Sequence, residues 1–385
     1  MTNATLFILT LASWLLLGWL WWDRRQAGDS AAGEKEEDKR ITPLLRGVNY
    51  LLSDKPDHAL RELVEVAKLH TETAEVYLAL GGMFRAKGEI GRAVRIHQNI
   101  LARPGLPPEM HIQACMALGK DYQAGGFRTR ALQQYARVLD MQSDHVPALE
   151  ACLRMREQAH EWQLAEELLS RLDRVQSAKS SLHRAYLVAE MASESMQQGD
   201  EKKAIALGER AIAIDEACAS AHVLLTDIHL RRDEHDKTKE CLERLAAISP
   251  EHLPLLAAKV VGSEGFYRQY GWDFLYGRWQ ERHEESLALA WFEAVKDKHG
   301  AAALDALLPD VDLQASTLRV GLRVLALRQG STLPGVHEQA SQWRRKARNF
   351  SCRECGVEVV EMRWQCPQCH HWGSMHPIES DPFDA

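Results

Sequence analysis

Four cysteines crowd into eighteen residues near the C-terminus as two CxxC pairs, Cys352 with Cys355 and Cys366 with Cys369, ten residues apart. A CxxC knuckle holds two thiolates on one side of a metal ion while backbone N–H groups turn towards the sulfurs. Two knuckles joined by a short β-hairpin supply four tetrahedral ligands. Gly356, directly after the first pair, and Pro367, inside the second, suit tight turns, and the intervening VEVVEMRW alternates as short strands do. A segment of this size (residues 350–378) has no core of its own, so the spacing predicts a module folded around a metal. Structural zinc in small peptide sites supplies roughly 10–16 kcal/mol. Zinc is the expected ion, and iron in the same four sulfurs would instead make an electron-transfer centre. Four cysteines saturate a tetrahedral site, which leaves His370, His371 and His376 as surface or supporting groups and argues against catalysis, since catalytic zinc keeps an open position.

The other cysteines, Cys115, Cys152, Cys218 and Cys241, stand singly in helical patterns and read as buried free thiols. Single thiols beside paired ones indicate a reducing compartment and a metal rather than a disulfide framework. The 385 residues carry 47 basic and 54 acidic side chains, a net charge of −7 that excludes the basic face general nucleic-acid binding needs. No HExxH, P-loop or GxSxG motif and no recognisable carboxylate pair occurs, so no enzyme is expected.

The elements that carry this module read as helical hairpins. A small residue recurs at Ala59, Ala93, Ala131, Ala165, Ala204 and Thr238, in steps of 34, 38, 34, 39 and 34. Gly47, Gly81 and Gly119 keep the same step, as do the aromatics Tyr50, Phe84 and Tyr122. Gly88, Gly126 and Gly199, with Asp54 and Asp233, fall at the turn between paired helices. A period of 34 with these columns is that of tetratricopeptide repeats, and six are expected over residues 41–250, with RPGLPPE (103–109) as a lengthened loop. One hairpin cannot bury its own apolar face, so several must stack, and their first helices line a groove suited to an extended peptide or a partner helix. Repeat phase points Arg85, Lys120, Gln123 and Asp227 towards that groove. Over residues 251–345 the columns fade into degenerate helical repeats or a cap. There FYRQYGWDFLYGRWQER reads as core at helical spacing, with a ligand surface as the alternative, and WRRKAR (343–348) reads as a solvated helix end.

At the other end, no charged side chain precedes Asp23, and ATLFILTLASWLLLGWLWW (4–22) would reach about 28 Å as a helix, enough to cross a bilayer's hydrocarbon core. It lacks the basic start and small-residue end of a cleaved signal peptide, and Trp19, Trp21 and Trp22 suit the headgroup level. Arg24 and Arg25 follow it, so residues 1–22 are expected to form a single-pass anchor with the bulk of the chain in the cytoplasm. Residues 23–40, with six acids against five bases, read as a charged tether. The expected fold is therefore all-α: a tetratricopeptide superhelix with a transmembrane helix before it and a small metal-binding domain after it.

This order of parts, with GVNYLLSDKPDHAL (47–60), LGGMFRAKGEIGRAVRIHQNIL (80–101), LGKDYQAGGF (118–127) and the rubredoxin-like tail CRECG…RWQCPQC…W…PI, resembles the lipopolysaccharide assembly protein B family of Gram-negative bacteria. The resemblance covers nearly the whole chain and is weakest over 251–345. It implies an inner-membrane regulator of lipopolysaccharide synthesis that promotes turnover of the committed lipid A pathway deacetylase. The proteolysis itself falls to an FtsH-type membrane AAA+ protease, and an inner-membrane lipopolysaccharide sensor restrains the adaptor. The family's metal ligands map onto Cys352, Cys355, Cys366 and Cys369, and Gly47, Tyr50, Gly81, Phe84 and Gly119 match as scaffold. Two other readings of the chain are a membrane-bound redox protein with an iron-loaded tail and a generic repeat scaffold.

Overall fold

The computed structural model describes residues 74–177, 179–282, 285–308, 324, 327 and 349–378. The anchor, the tether, the first repeat and WRRKAR lie outside the described residues. No helix among those described is long and apolar enough to cross a membrane. The chain divides into two compact units, Met1–Met155 and Arg156–Ala385.

In the first unit helices alternate as hairpins: α1 (Ala74–Ala86) with α2 (Ile90–Leu101), α3 (Pro108–Ala124) with α4 (Arg128–Met141), then the start of α5 (Val146–Gln158). Each is helical for local reasons. In α2, Ala93, His97 and Ile100 recur at the spacing of one helical face and are buried, while the opposite face is charged or polar. In α3, Pro108 occupies the first turn, where a missing N–H costs nothing. The lengthened loop falls between α2 and α3, where Gly105 takes φ +71°.

The second unit continues with α6 (Trp162–Gln176), α7 (Ser181–Gln197), α8 (Glu201–Ile214), α9 (Ala219–Arg231) and α10 (His235–Ile248). The Asp200 carboxylate caps α8 by accepting from Lys203 N at 3.1 Å. A 3-10 turn, Pro250–His252, leads to α11 (Pro254–Gly262). A π-helical turn, Tyr267–Gly271, then precedes α12 (Trp272–Arg282), α13 (Glu285–His299) and α14 (Ala301–Leu307). The aromatic run there packs as core. Phe266, Phe274 and Trp279 are buried with Trp291 and Phe292, and Trp291 donates to Tyr267 Oη at 2.9 Å.

The repeat columns hold in the described residues. Ala93, Ala131, Ala204 and Thr238 are wholly buried where paired helices touch, and Ala165 is wholly buried too. Gly119 lies so close to α4 that an added Cβ would stand 2.5 Å from the Tyr135 ring. Each turn between paired helices has one left-handed residue: Gly88, Gly126, His160, Gly199 and Asp233, with φ from 53° to 82°. Just past it a backbone N–H returns five residues, as in Glu89 N to Phe84 O (2.9 Å) and Glu161 N to Arg156 O (2.9 Å), satisfying a carbonyl the ending helix leaves free. His160 keeps the period although its type does not announce a turn.

The residues that repeat phase aims at the groove are mostly engaged. Arg85 donates to Asp121 Oδ1 at 2.8 Å, and Asp121, fully buried, also meets His97, itself fully buried. Gln123 accepts from Tyr135 Oη at 3.0 Å. In the second unit Asp227 is buried between Arg231 and Lys259, with Lys259 Nζ at 3.0 Å. Lys120 is exposed.

The tail forms a three-stranded antiparallel sheet, β1 (Phe350–Cys352), β2 (Glu358–Val359) and β3 (Met375–Pro377), in the order β2-β1-β3. The strand expected through VEVVEMRW is shorter than its alternation suggested. Only Glu358–Val359 pairs, and the sheet is completed by residues flanking the two knuckles.

Removing the shared carboxylate of the first unit takes the charged partner from fully buried His97 and half-buried Arg85, leaving them only the carbonyls of Leu78 and Ala117. Asp121→Ala should therefore cost roughly 3–5 kcal/mol, read as a lowered urea midpoint. A loss under 1 kcal/mol would show that the buried pairing contributes little.

Candidate metal centre

The four sequence-predicted thiols are brought together. The Sγ atoms of Cys352, Cys355, Cys366 and Cys369 all lie within 4.8 Å of one another, and Cys352–Cys369 and Cys355–Cys366 approach to 3.6 Å. Thiolates each about 2.3 Å from one ion stand about 3.8 Å apart on a tetrahedron, so the donor set fits a metal of zinc's size.

The two knuckles repeat one backbone design. Gly356, at φ +72°, follows the first pair and its N–H donates to Cys352 O at 2.9 Å. His370, at φ +62°, follows the second and donates to Cys366 O at 3.1 Å. Gln368 N and Cys369 N point at Cys366 Sγ from 3.4 and 3.5 Å. His370 thus serves through its backbone. His376 Nε2 lies 3.2 Å from Ser351 Oγ, and the metal-capable group is formed by the four cysteines without a histidine.

Proton affinities divide sharply across the group. Burial raises Cys352, but the Ser374 hydroxyl and the N–H groups of Cys355 and Glu354 outweigh it and bring the thiol down to about 6. For Cys369 the His371 N–H favours the thiolate, yet burial and hydrogen bonds with the other three sulfurs push it up to about 12. Sulfurs this close do not all ionise unless a cation balances them.

The second half of the site is the face on which the module sits. Trp372 stacks on Tyr186 of α7 (5.6 Å, 21°) and meets the edge of Trp162 of α6 at 6.1 Å. Trp364 lies 6.2 Å from Tyr186 and 4.9 Å from His252. Gln365 Nε2 donates to Glu157 Oε2 at 2.9 Å, and the other oxygen of that buried carboxylate takes His183. His252 Nε2 donates to Met375 O at 3.1 Å, and Arg353 pairs with Glu251 at 3.1 Å. Burial holds His252 below the ordinary imidazole range, partly offset by the Met375 carbonyl. Gly373, at φ +64°, lies where a side chain would run into the Tyr186 hydroxyl. Further along α7, burial raises the Glu190 carboxyl to about 7.

Repeat phase and cysteine spacing miss this face. A signal was present, since Trp364 and Trp372 fall in a segment too small to bury two indoles, which implies a partner surface.

The Rubredoxin metal binding domain family matches residues 350–377. Lipopolysaccharide assembly protein B of Escherichia coli (strain K12) is 26% identical over 375 residues, covering 94% of this chain and 95% of that protein. The protein of the same name from Haemophilus influenzae is 24% identical, over 91% and 93%. A tetratricopeptide repeat protein from Parabacteroides merdae aligns with 75% of this chain and 98% of its own, at 12% identity and a TM-score of 0.35. The likeness to the lipopolysaccharide assembly protein B family, read from the sequence, thus runs nearly end to end.

Trp372→Ala removes the indole stacked on Tyr186. Amide exchange over residues 364–378 should accelerate roughly ten- to a hundredfold while the repeats stay helical, whereas Tyr186→Phe, which keeps the stack, should change little. Unchanged exchange in Trp372→Ala would mean that other contacts hold the module.

Proposed function

We propose, for a chain with full-length likeness to lipopolysaccharide assembly protein B, that it is a non-catalytic adaptor of the inner membrane that regulates lipopolysaccharide synthesis. The observation that carries this reading is a cluster of four thiols packed against a helical-repeat scaffold, an arrangement suited to holding proteins and not to turning over a substrate. In this reading residues 1–22 anchor the chain, 23–40 tether it, and the repeats and tail work in the cytoplasm. Cys352, Cys355, Cys366 and Cys369 hold zinc as a structural ion, which supplies the folding free energy a segment of this size lacks. The repeats present the committed lipid A pathway deacetylase to an FtsH-type membrane protease, under restraint from an inner-membrane lipopolysaccharide sensor. Tethering matters as much as contact, because it raises the substrate's concentration beside the protease.

The metal is checked by elemental analysis of purified protein. One zinc per chain is expected, and Cys352→Ser or Cys366→Ser should lose it and expose the last thirty or so residues to protease. One iron per chain with reversible reduction would instead support the electron-transfer reading.

The adaptor role is checked by the deacetylase half-life after translation is blocked. Deleting residues 1–22, or the whole protein, should lengthen it several-fold, and overexpression should shorten it only while the membrane protease is active. An unchanged half-life in the null strain would leave a membrane-bound scaffold of other purpose.

A further inference from the structure

Of the eight cysteines, Cys355 alone is exposed. Cys352 and Cys366 are buried, Cys369 is half-buried, and the repeat thiols Cys115, Cys152 and Cys218 are closed inside the helical packing. A thiol is attacked only where a reagent reaches it, and Cys355 is the most open of the site's four. One sulfur facing it at contact distance belongs to the other knuckle. Cys366 Sγ is 3.6 Å from Cys355 Sγ, while Cys352 is drawn to Cys369 (3.6 Å) and to Ser374 Oγ (3.3 Å). A disulfide needs its sulfurs about 2.05 Å apart, a closure of some 1.5 Å between two turns of the chain.

We propose that Cys355 is an oxidation site, where a hydroperoxide enters the centre, and that Cys366 resolves it into a Cys355–Cys366 disulfide that ends the site's hold on its metal. This rests on the reading that the four thiols hold a metal. The Cys355 thiolate attacks one peroxide oxygen, the O–O bond breaks, and a sulfenic acid and hydroxide result. Cys366 Sγ then attacks the Cys355 sulfur, the S–S bond forms, and the sulfenic oxygen leaves as water. In sum two thiolates, one hydrogen peroxide and two protons give a disulfide and two waters. The sulfurs lose two electrons and the peroxide gains them.

The consequence reaches the repeats because Cys366 is built into the docking face. It follows Trp364 and Gln365, which contact Tyr186, His252 and Glu157, and its N–H donates to His371 O at 2.9 Å, beside Trp372. A Cys366 pulled towards Cys355 in a site without its ion loosens this strand, so peroxide exposure is converted into release of the module from α7.

The test uses the full-length metal-loaded chain in detergent, with its metal content measured first. Hydrogen peroxide is added at one equivalent, thiols are alkylated at intervals, and peptides are mapped by mass spectrometry while a chromogenic chelator reads released metal. Cys355 should be the first thiol alkylated in untreated protein, and the first disulfide should join Cys355 to Cys366. One metal should leave per disulfide, and amide exchange over 364–373 should rise at least tenfold. A first disulfide within a knuckle, Cys352–Cys355 or Cys366–Cys369, would overturn the proposal, as would metal retained under peroxide, without touching the metal assignment. A chain purified without metal would overturn both. Since the mapping uses the natural sequence, it does not depend on whether Cys355→Ser folds.

Discussion

Paired helices in this chain come close enough to share a core only because a small residue stands at the contact. At Ala93, Ala131, Ala165, Ala204 and Thr238 the side chain is completely buried, and at Gly119 there is room for no side chain at all. A larger group at any of them would push the pair apart and open the packing, because interiors this dense do not absorb even a methylene freely. The rest follows from that closeness. The left-handed turns bring each pair round, the larger residues fill the space between successive pairs, and the faces left over are rigid enough to hold something else in place.

What the second unit holds is the chain's own last segment. A four-thiol module lacks the apolar surface for independent stability, and a repeat face carrying Tyr186, Trp162 and a buried Glu157 would be poorly satisfied in water. Each covers the other's deficit. The indole of Trp372 finds a stacked ring and that of Trp364 a tilted one, the Glu157 carboxylate finds an amide donor, and His252 finds a carbonyl. These contacts mix aromatic surface with specific polar pairs, the composition expected of a specific interface and not of a general apolar collapse.

Much of this was legible in the residues, and what was not has physical causes. The helical hairpins announce themselves because a steric requirement at a close contact admits few residue types and recurs at a fixed step. The four ligand positions are legible for a similar reason, since knuckle geometry fixes the spacing. The turn at His160 escaped because a left-handed residue needs tolerance of that backbone, which glycine advertises and histidine does not. Arg85 and Asp227 were legible as members of a face, but not as partners of Asp121 or of Arg231 and Lys259, since ion pairing depends on neighbours a turn or a repeat away. The docking face was least legible. Its residues come from α5, α6, α7, the Pro250–His252 turn and the tail, and no period relates them.

The bond from Gln365 to Glu157 spans 208 residues of sequence. A ribosome releases Glu157 long before it makes Gln365, and the residues that cover Tyr186 emerge well after Tyr186 itself. During synthesis the helices of the second unit can form locally, but the ring of Tyr186 and the carboxylate of Glu157 stay open to other occupants until residues 364–372 are made. Closing so long a loop is slow compared with forming a hairpin, and a partly made chain with an uncovered aromatic face is the species most exposed to mispairing. The order of manufacture therefore makes the metal-binding segment a latch that closes late. A chain cut before Trp364 would leave a unit that was assembled but never closed.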